Sequence, residues 1–72
     1  MYIYEEDGVQ MVVLVESDEV VDGVRKVRMR YVSHYGGRDR GPFGNSLPSP
    51  GDVWVSEARV GYEGLCWDLR EI

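Results

Sequence analysis

Val20-Val21-Asp22-Gly23-Val24 sets an Asp-Gly pair between β-branched residues. A two-residue type I′ turn needs positive φ at both central positions, and Asp-Gly is among the few pairs that accept it, so this stretch predicts a hairpin. With Asp22 and Gly23 as the turn, Val21 faces Val24, Glu19 faces Lys26 and Leu14 faces Tyr31. Glu19 and Lys26 make a favourable cross-strand pair. The same register sets Glu16 against Met29, a poor match, which predicts a bulge near Ser17.

Both limbs of this hairpin read as strands. Val9 to Val15 is almost continuously apolar and rich in valine, the pattern of a buried strand. From Val24 to Tyr35 the chain alternates: Arg25, Val27, Met29, Tyr31, Ser33 and Tyr35 share one face, and Val24, Lys26, Arg28, Arg30, Val32 and His34 the other. Upstream, Asp7-Gly8 is a second turn signal, which makes Met1 to Glu6 a short edge strand or a frayed start.

Downstream, residues 33–51 form a long segment holding all three prolines, the only histidine and the only phenylalanine. A connection of this length inside a small domain is uncommon and tends to carry function. Ser49-Pro50-Gly51-Asp52 suits a type II turn that launches the next strand. Asp52 to Gly61 and Gly64 to Ile72 both alternate, and closing them through Tyr62-Glu63 predicts a second hairpin. Its register sets Val60 against Leu65, Ala58 against Trp67 and Ser56 against Leu69 on an apolar face. On the reverse face Val53 meets Ile72, Val55 meets Arg70, Glu57 meets Asp68 and Arg59 meets Cys66. The reading is all-β, a single domain over residues 1–72. Two hairpins joined by the long loop give four to five antiparallel strands in a strongly bent sheet or an SH3-like barrel.

Composition bounds the chemistry. A chain of 72 residues buries only about 60% of its unfolded surface, so its core is small. One cysteine precludes an internal disulfide, and one cysteine with one histidine precludes the usual Cys/His zinc sets. The expected stabilising device is therefore a barrel-like sheet or a homodimer. No apolar run reaches the roughly 20 residues of a membrane span. The N-terminal residues lack the pattern of a secretory leader, and an unpaired cysteine suits a reducing compartment, so the expected location is cytoplasmic.

The net charge of −5 is unevenly laid out: residues 1–22 carry seven acids and no base, and residues 23–40 carry six bases and one acid. Paired as strands, these blocks neutralise each other. Left free, the acids would mimic a nucleic acid's charge, and the bases (Arg25, Lys26, Arg28, Arg30, Arg38 and Arg40) would bind phosphate. The overall negative charge argues against a nucleic-acid polymer.

The remaining chemistry is sparse. Glu57 facing Asp68 would be a carboxylate pair on an exposed face flanked by arginines, without the enclosure catalysis needs. His34 and Cys66 are single residues on different strands, and Trp54 and Trp67 read as packing. No cofactor and no enzymatic constellation is implied. The expected working surface comprises Arg28, Arg30, His34, Tyr35, Arg38, Arg40 and Phe43, with Leu47 beside them, because arginine and aromatic residues concentrate at interface hot spots. The expected function is a non-enzymatic protein-binding module. A small virus-encoded inhibitor of a bacterial defence complex, such as an anti-CRISPR protein acting in the host cytoplasm, fits that description. The alternative is a protein that sequesters a phosphorylated (cyclic) nucleotide through the basic strand and the glycine loop.

Overall fold

Asp22 and Gly23 take φ values of 52° and 76°, and Asp7 and Gly8 take 51° and 79°, so both Asp-Gly pairs form the left-handed turns their sequence favours. They link the first three strands, β1 (Tyr2–Glu6), β2 (Val9–Val21) and β3 (Val24–Gly37), into a meander. Two shorter strands follow, β4 (Val53–Arg59) and β5 (Trp67–Glu71). This computed structural model describes residues 1–40, 46–61 and 66–72. All five strands join one antiparallel sheet in the order β4-β3-β2-β1-β5.

That order corrects the second hairpin. β4 and β5 lie at opposite edges instead of pairing with each other. β4 adds to β3, with Trp54 opposite Met29 and Ser56 opposite Val27, and β5 adds to β1, with Leu69 opposite Tyr4. Alternation fixes which side chains share a face but not which strand lies alongside. Trp54, Ser56, Ala58, Trp67 and Leu69 therefore keep the inward side expected of them while changing neighbours. The proposed turn at Tyr62-Glu63 and the Leu65 pairing lie outside the described residues. β1 is likewise neither frayed nor an edge, being flanked by β2 and β5.

The first hairpin matches its sequence register near the turn, with Val21 opposite Val24 and Glu19 opposite Lys26. An irregularity between Val15 and Ser17 then shifts the ladder, so Val13, not Leu14, faces Tyr31, and Val15 faces Met29. The physical cause is the mismatch of Glu16 with Met29. Taking Glu16 out of the ladder returns a valine to the core face and frees the carboxylate for the outer face. β3 runs on to Gly37 through two further register shifts, so the connecting segment starts at Arg38.

A single sheet has one core, and here the sheet curls to cover it. Tyr4, Val9, Met11, Val13, Val27, Met29, Tyr31 and Trp67 form the buried cluster, with Tyr2, Val15, Leu47, Trp54, Ala58 and Leu69 packed at its rim. The Tyr4 ring meets Trp54 edge-on at 5.7 Å and Trp67 at 5.6 Å between centroids. Its hydroxyl lies 2.8 Å from the Ser56 hydroxyl. β1 and β4 are three strand spacings apart, about 14 Å in a flat sheet, so this contact requires strong curvature. Trp67 also donates its indole N–H to the Glu57 carbonyl at 2.9 Å, drawing the two edges together. Among the described residues the edges share no ladder, so the sheet is strongly bent but not closed into an SH3-like barrel.

Two glycines with positive φ differ in a way that can be measured. A Cβ at Gly23 meets nothing within 4 Å, whereas one at Gly37 collides with the Gly8 carbonyl. Gly23→Ala should cost only the left-handed backbone penalty, about 1–2 kcal/mol. Gly37→Ala should cost clearly more in urea unfolding, because two strand ends must separate. A second expectation concerns Tyr4, whose hydroxyl is pushed from 10.0 to about 12, chiefly by burial. A folded-state value above the unfolded one means the native state holds its proton more tightly. The stability tied to that proton is intact below pH 10 and is lost as pH rises toward 12. Tyr4→Phe should remove this alkaline loss and cost about 1–2 kcal/mol at neutral pH by orphaning the Ser56 hydroxyl.

Candidate functional site

The acidic and basic blocks fold against each other. Glu16, released by the bulge, reaches the two arginines on the outer face of β3. It accepts from Arg28 Nε at 3.3 Å and from Arg30 Nε and Nη2 at 3.0 and 2.8 Å. Arg30 also donates to the Gly51 carbonyl at 3.3 Å, tying the end of the long loop to β3. Asp18 receives a two-pronged bond from Arg25, at 2.9 and 2.7 Å. Strand parity places Arg25 on the core side, where its guanidinium lies 5.9 Å from the Trp67 ring centroid. Lys26 lies 3.8 Å from Glu57. Four of the six basic residues expected to form a phosphate patch are thus matched with carboxylates.

The remaining two, Arg38 and Arg40, are exposed at the start of the long loop and make no ion pair among the described residues. Arg38 is held by its backbone: its N–H donates to the Gly8 carbonyl at 2.8 Å, and its own carbonyl lies 2.9 Å from His34 Nε2. A carbonyl only accepts, so that contact places the imidazole proton on Nε2. Tyr35 is exposed beside it, at a bulged position of β3. Arg38 and His34 thus meet where the Asp7-Gly8 turn adjoins the end of β3. Phe43, the aromatic expected to complete this surface, lies outside the described residues. Arg28 and Arg30 stand farther along β3, engaged with Glu16.

The returning limb of the loop is anchored as well. Gly51 N–H donates to the Tyr31 carbonyl and Tyr31 N–H to the Asp52 carbonyl, at 3.0 and 2.8 Å, while Asp52 N–H donates to the Ser49 carbonyl at 2.9 Å. The last bond closes the turn read from Ser49-Pro50-Gly51-Asp52, with Gly51 at φ 94°. Leu47 packs on the core rim. Beside it, Ser46, Leu47, Pro48, Asp52, Val53 and Trp54 line an open hollow of about 490 Å³.

The other candidate chemistry is dispersed. Glu57 and Asp68 sit on opposite edge strands, and their partners are Lys26 and Arg70. Cys66 is a free, exposed thiol preceding β5, and His34 makes its contact with Arg38 instead. Among the described residues there is no cluster of three or more His, Cys, Asp or Glu that could hold a metal, and no helix long and apolar enough to cross a membrane. Sequence reasoning missed the Glu16 clamp, although the predicted bulge was its signal. The Trp67–Glu57 bond has no local signal at all.

Comparison with protein-family models, curated proteins and solved structures finds no match to this chain.

The clamp has a measurable signature. Hydrogen bonding from Arg30, followed by the charges of Arg30 and Arg28, holds the Glu16 carboxyl below its usual 4.5, and Arg25 holds Asp18 below 3.8. Depressed values mean that these pairs support the fold above the unfolded pKa and stop doing so as pH falls through the native one. In a carboxyl-carbon NMR titration, Glu16 should show a midpoint below 4.5 that moves back up in Arg30→Ala.

Proposed function

We propose that this chain is a non-enzymatic protein-binding module that docks through the outgoing limb of its long loop. The observation that carries this reading is the unequal treatment of its cations. The β3 arginines are spent on Glu16 and Asp18, while Arg38, anchored through its backbone to Gly8, and Arg40 two residues on have no carboxylate partner among the described residues. Free guanidiniums on a held segment give a partner's carboxylates a preorganised target, which lowers the ordering cost of binding. Arg59, at the end of β4, is also without such a partner, but it stands at the opposite end of the sheet, near Gly23. Tyr35, three residues before Arg38 in the chain, supplies an exposed aromatic ring.

Small size, net negative charge and a single bent sheet suit an inhibitor that occludes a larger assembly. A virus-encoded inhibitor of a bacterial defence complex is the biological setting we propose. The nucleotide-sequestering alternative leans on Arg28 and Arg30, whose bonds to Glu16 would have to be broken to admit a phosphate.

Native mass spectrometry of the protein purified gently from its own cells tests the reading. A stoichiometric protein partner should accompany the wild type and be lost from the Arg38→Ala, Arg40→Ala, Phe43→Ala triple variant with its melting temperature unchanged. Retention of the partner by that variant would overturn the loop assignment, and a co-purifying nucleotide in place of a protein would overturn the module.

A further inference from the structure

Among the described residues β5 leaves one side of its backbone unpaired, and its sequence dictates what fits there. Ile72 N–H donates to the Met1 carbonyl, which sets the alternation of the β1–β5 ladder. Asp68 and Arg70 direct their backbone groups toward β1, while Trp67, Leu69 and Glu71 direct theirs outward. No ladder covers that side among the described residues. The other edge is different, because the Trp67 indole already occupies the Glu57 carbonyl in the middle of β4.

We infer that β5 is a self-complementary edge that pairs antiparallel with β5 of a second copy of this chain, about a two-fold axis at Leu69. In that register Trp67 faces the partner's Glu71, and Leu69 faces the partner's Leu69, with outward backbone groups opposite outward ones. Asp68 stands opposite the partner's Arg70 and Arg70 opposite the partner's Asp68, in the closely approaching non-hydrogen-bonded positions, so the exposed 3.4 Å contact between Asp68 and Arg70 within one chain is exchanged for two reciprocal ion pairs across the seam. Competing registers fail. Slipping one residue mismatches the backbone donors and acceptors. Slipping two stacks Asp68 on the partner's Asp68, or Arg70 on the partner's Arg70. Charge and hydrogen-bond parity therefore select one alignment.

Exposed apolar surface runs to the same edge. Leu14, Met1 and Ile72 are 43%, 62% and 70% exposed. Strand parity and the β1–β2 and β1–β5 registers place them in one row on the outer face. The pairing extends this row to the partner's Cys66, which falls opposite Ile72. A continuous ten-stranded sheet also supplies the stabilisation that a 72-residue core lacks. This inference does not rest on the loop reading, which concerns side chains at the end of β3 and in the segment after it, not the backbone edge of β5.

Sedimentation velocity over a concentration series, with far-UV circular dichroism to verify folding, tests the alignment. The wild type should dimerise. Asp68→Arg and Arg70→Asp should each raise the dimer dissociation constant about tenfold or more, by setting like charges opposite one another twice. Combining them should restore it. An independent readout is covalent: Ile72→Cys should yield a disulfide-linked dimer through the native Cys66, whereas Cys66→Ser with Ile72→Cys should not. The wild type should also form none, because its two Cys66 thiols stand at opposite ends of the pair. A wild type that stays monomeric at every concentration would overturn the inference, as would a dimer indifferent to both single charge reversals.

Discussion

A single sheet can bury its apolar face only against itself, and everything else in this molecule follows from how that is done. Tyr4 is the pivot. Its ring lies between Trp54 and Trp67, and its hydroxyl reaches Ser56 on a strand three positions away in the sheet. Without curvature the core would have one wall; with it, β1 and β4 become opposing walls of a small interior. The hydroxyl pair also solves a local problem, since each would otherwise be a polar group stranded in an apolar core. Trp67 then joins the two edges by a single hydrogen bond to Glu57. Curvature, core and edge geometry are in that sense one feature.

Charge is handled by the same economy. A bulge in β2 moves Glu16 out of the ladder, and from there it meets two arginines that would otherwise repel each other across one face of β3. Within the hairpin Glu16 and Asp18 thus neutralise Arg25, Arg28 and Arg30, while Lys26 finds its carboxylate, Glu57, on β4. Of the basic block, Arg38 and Arg40 are left without a carboxylate partner among the described residues, and this narrows the phosphate chemistry open to a ligand.

How much was legible depended on the distance over which each choice is made. Asp7-Gly8 and Asp22-Gly23 decide their conformation within two residues, so their turns could be read directly. Alternation from Val24 put Val27, Met29 and Tyr31 on one face with Arg25, as the structure has them, but past Tyr31 a register shift against β2 exchanges the faces of Ser33 and His34. The bulge followed from one bad pairing, Glu16 with Met29. Neighbour choice for β4 and β5 was another matter. Their apolar faces fit each other as well as they fit β3 and β1, and the terms that decide it are remote: Tyr4 with Ser56, Lys26 with Glu57, Trp67 with a backbone carbonyl. The candidate site was partly legible for the same reason. Arg38 and Arg40 belong to a recognisable loop, but the neutralisation of Arg28 and Arg30 required the register shift to be known in detail. No motif in the chain names a partner.

Strand order has a consequence for how the chain is made. β1 sits between its sequence neighbour β2 and β5, which is translated some sixty residues later. On the ribosome the meander of β1, β2 and β3 can assemble as it emerges, its two tight turns requiring almost no chain search. β5 must close a far longer loop onto β1, at an entropic cost roughly 3 kcal/mol greater. Until then β1 presents a bare hydrogen-bonding edge with Tyr2 and Tyr4 beside it, the condition under which nascent chains cross-pair. Glu5 and Glu6, with Asp7 following them, line that interim edge with negative charge. Glu5, which in the finished sheet accepts from Gln10 and meets Arg70, thus has an earlier use as charge on an unpaired edge.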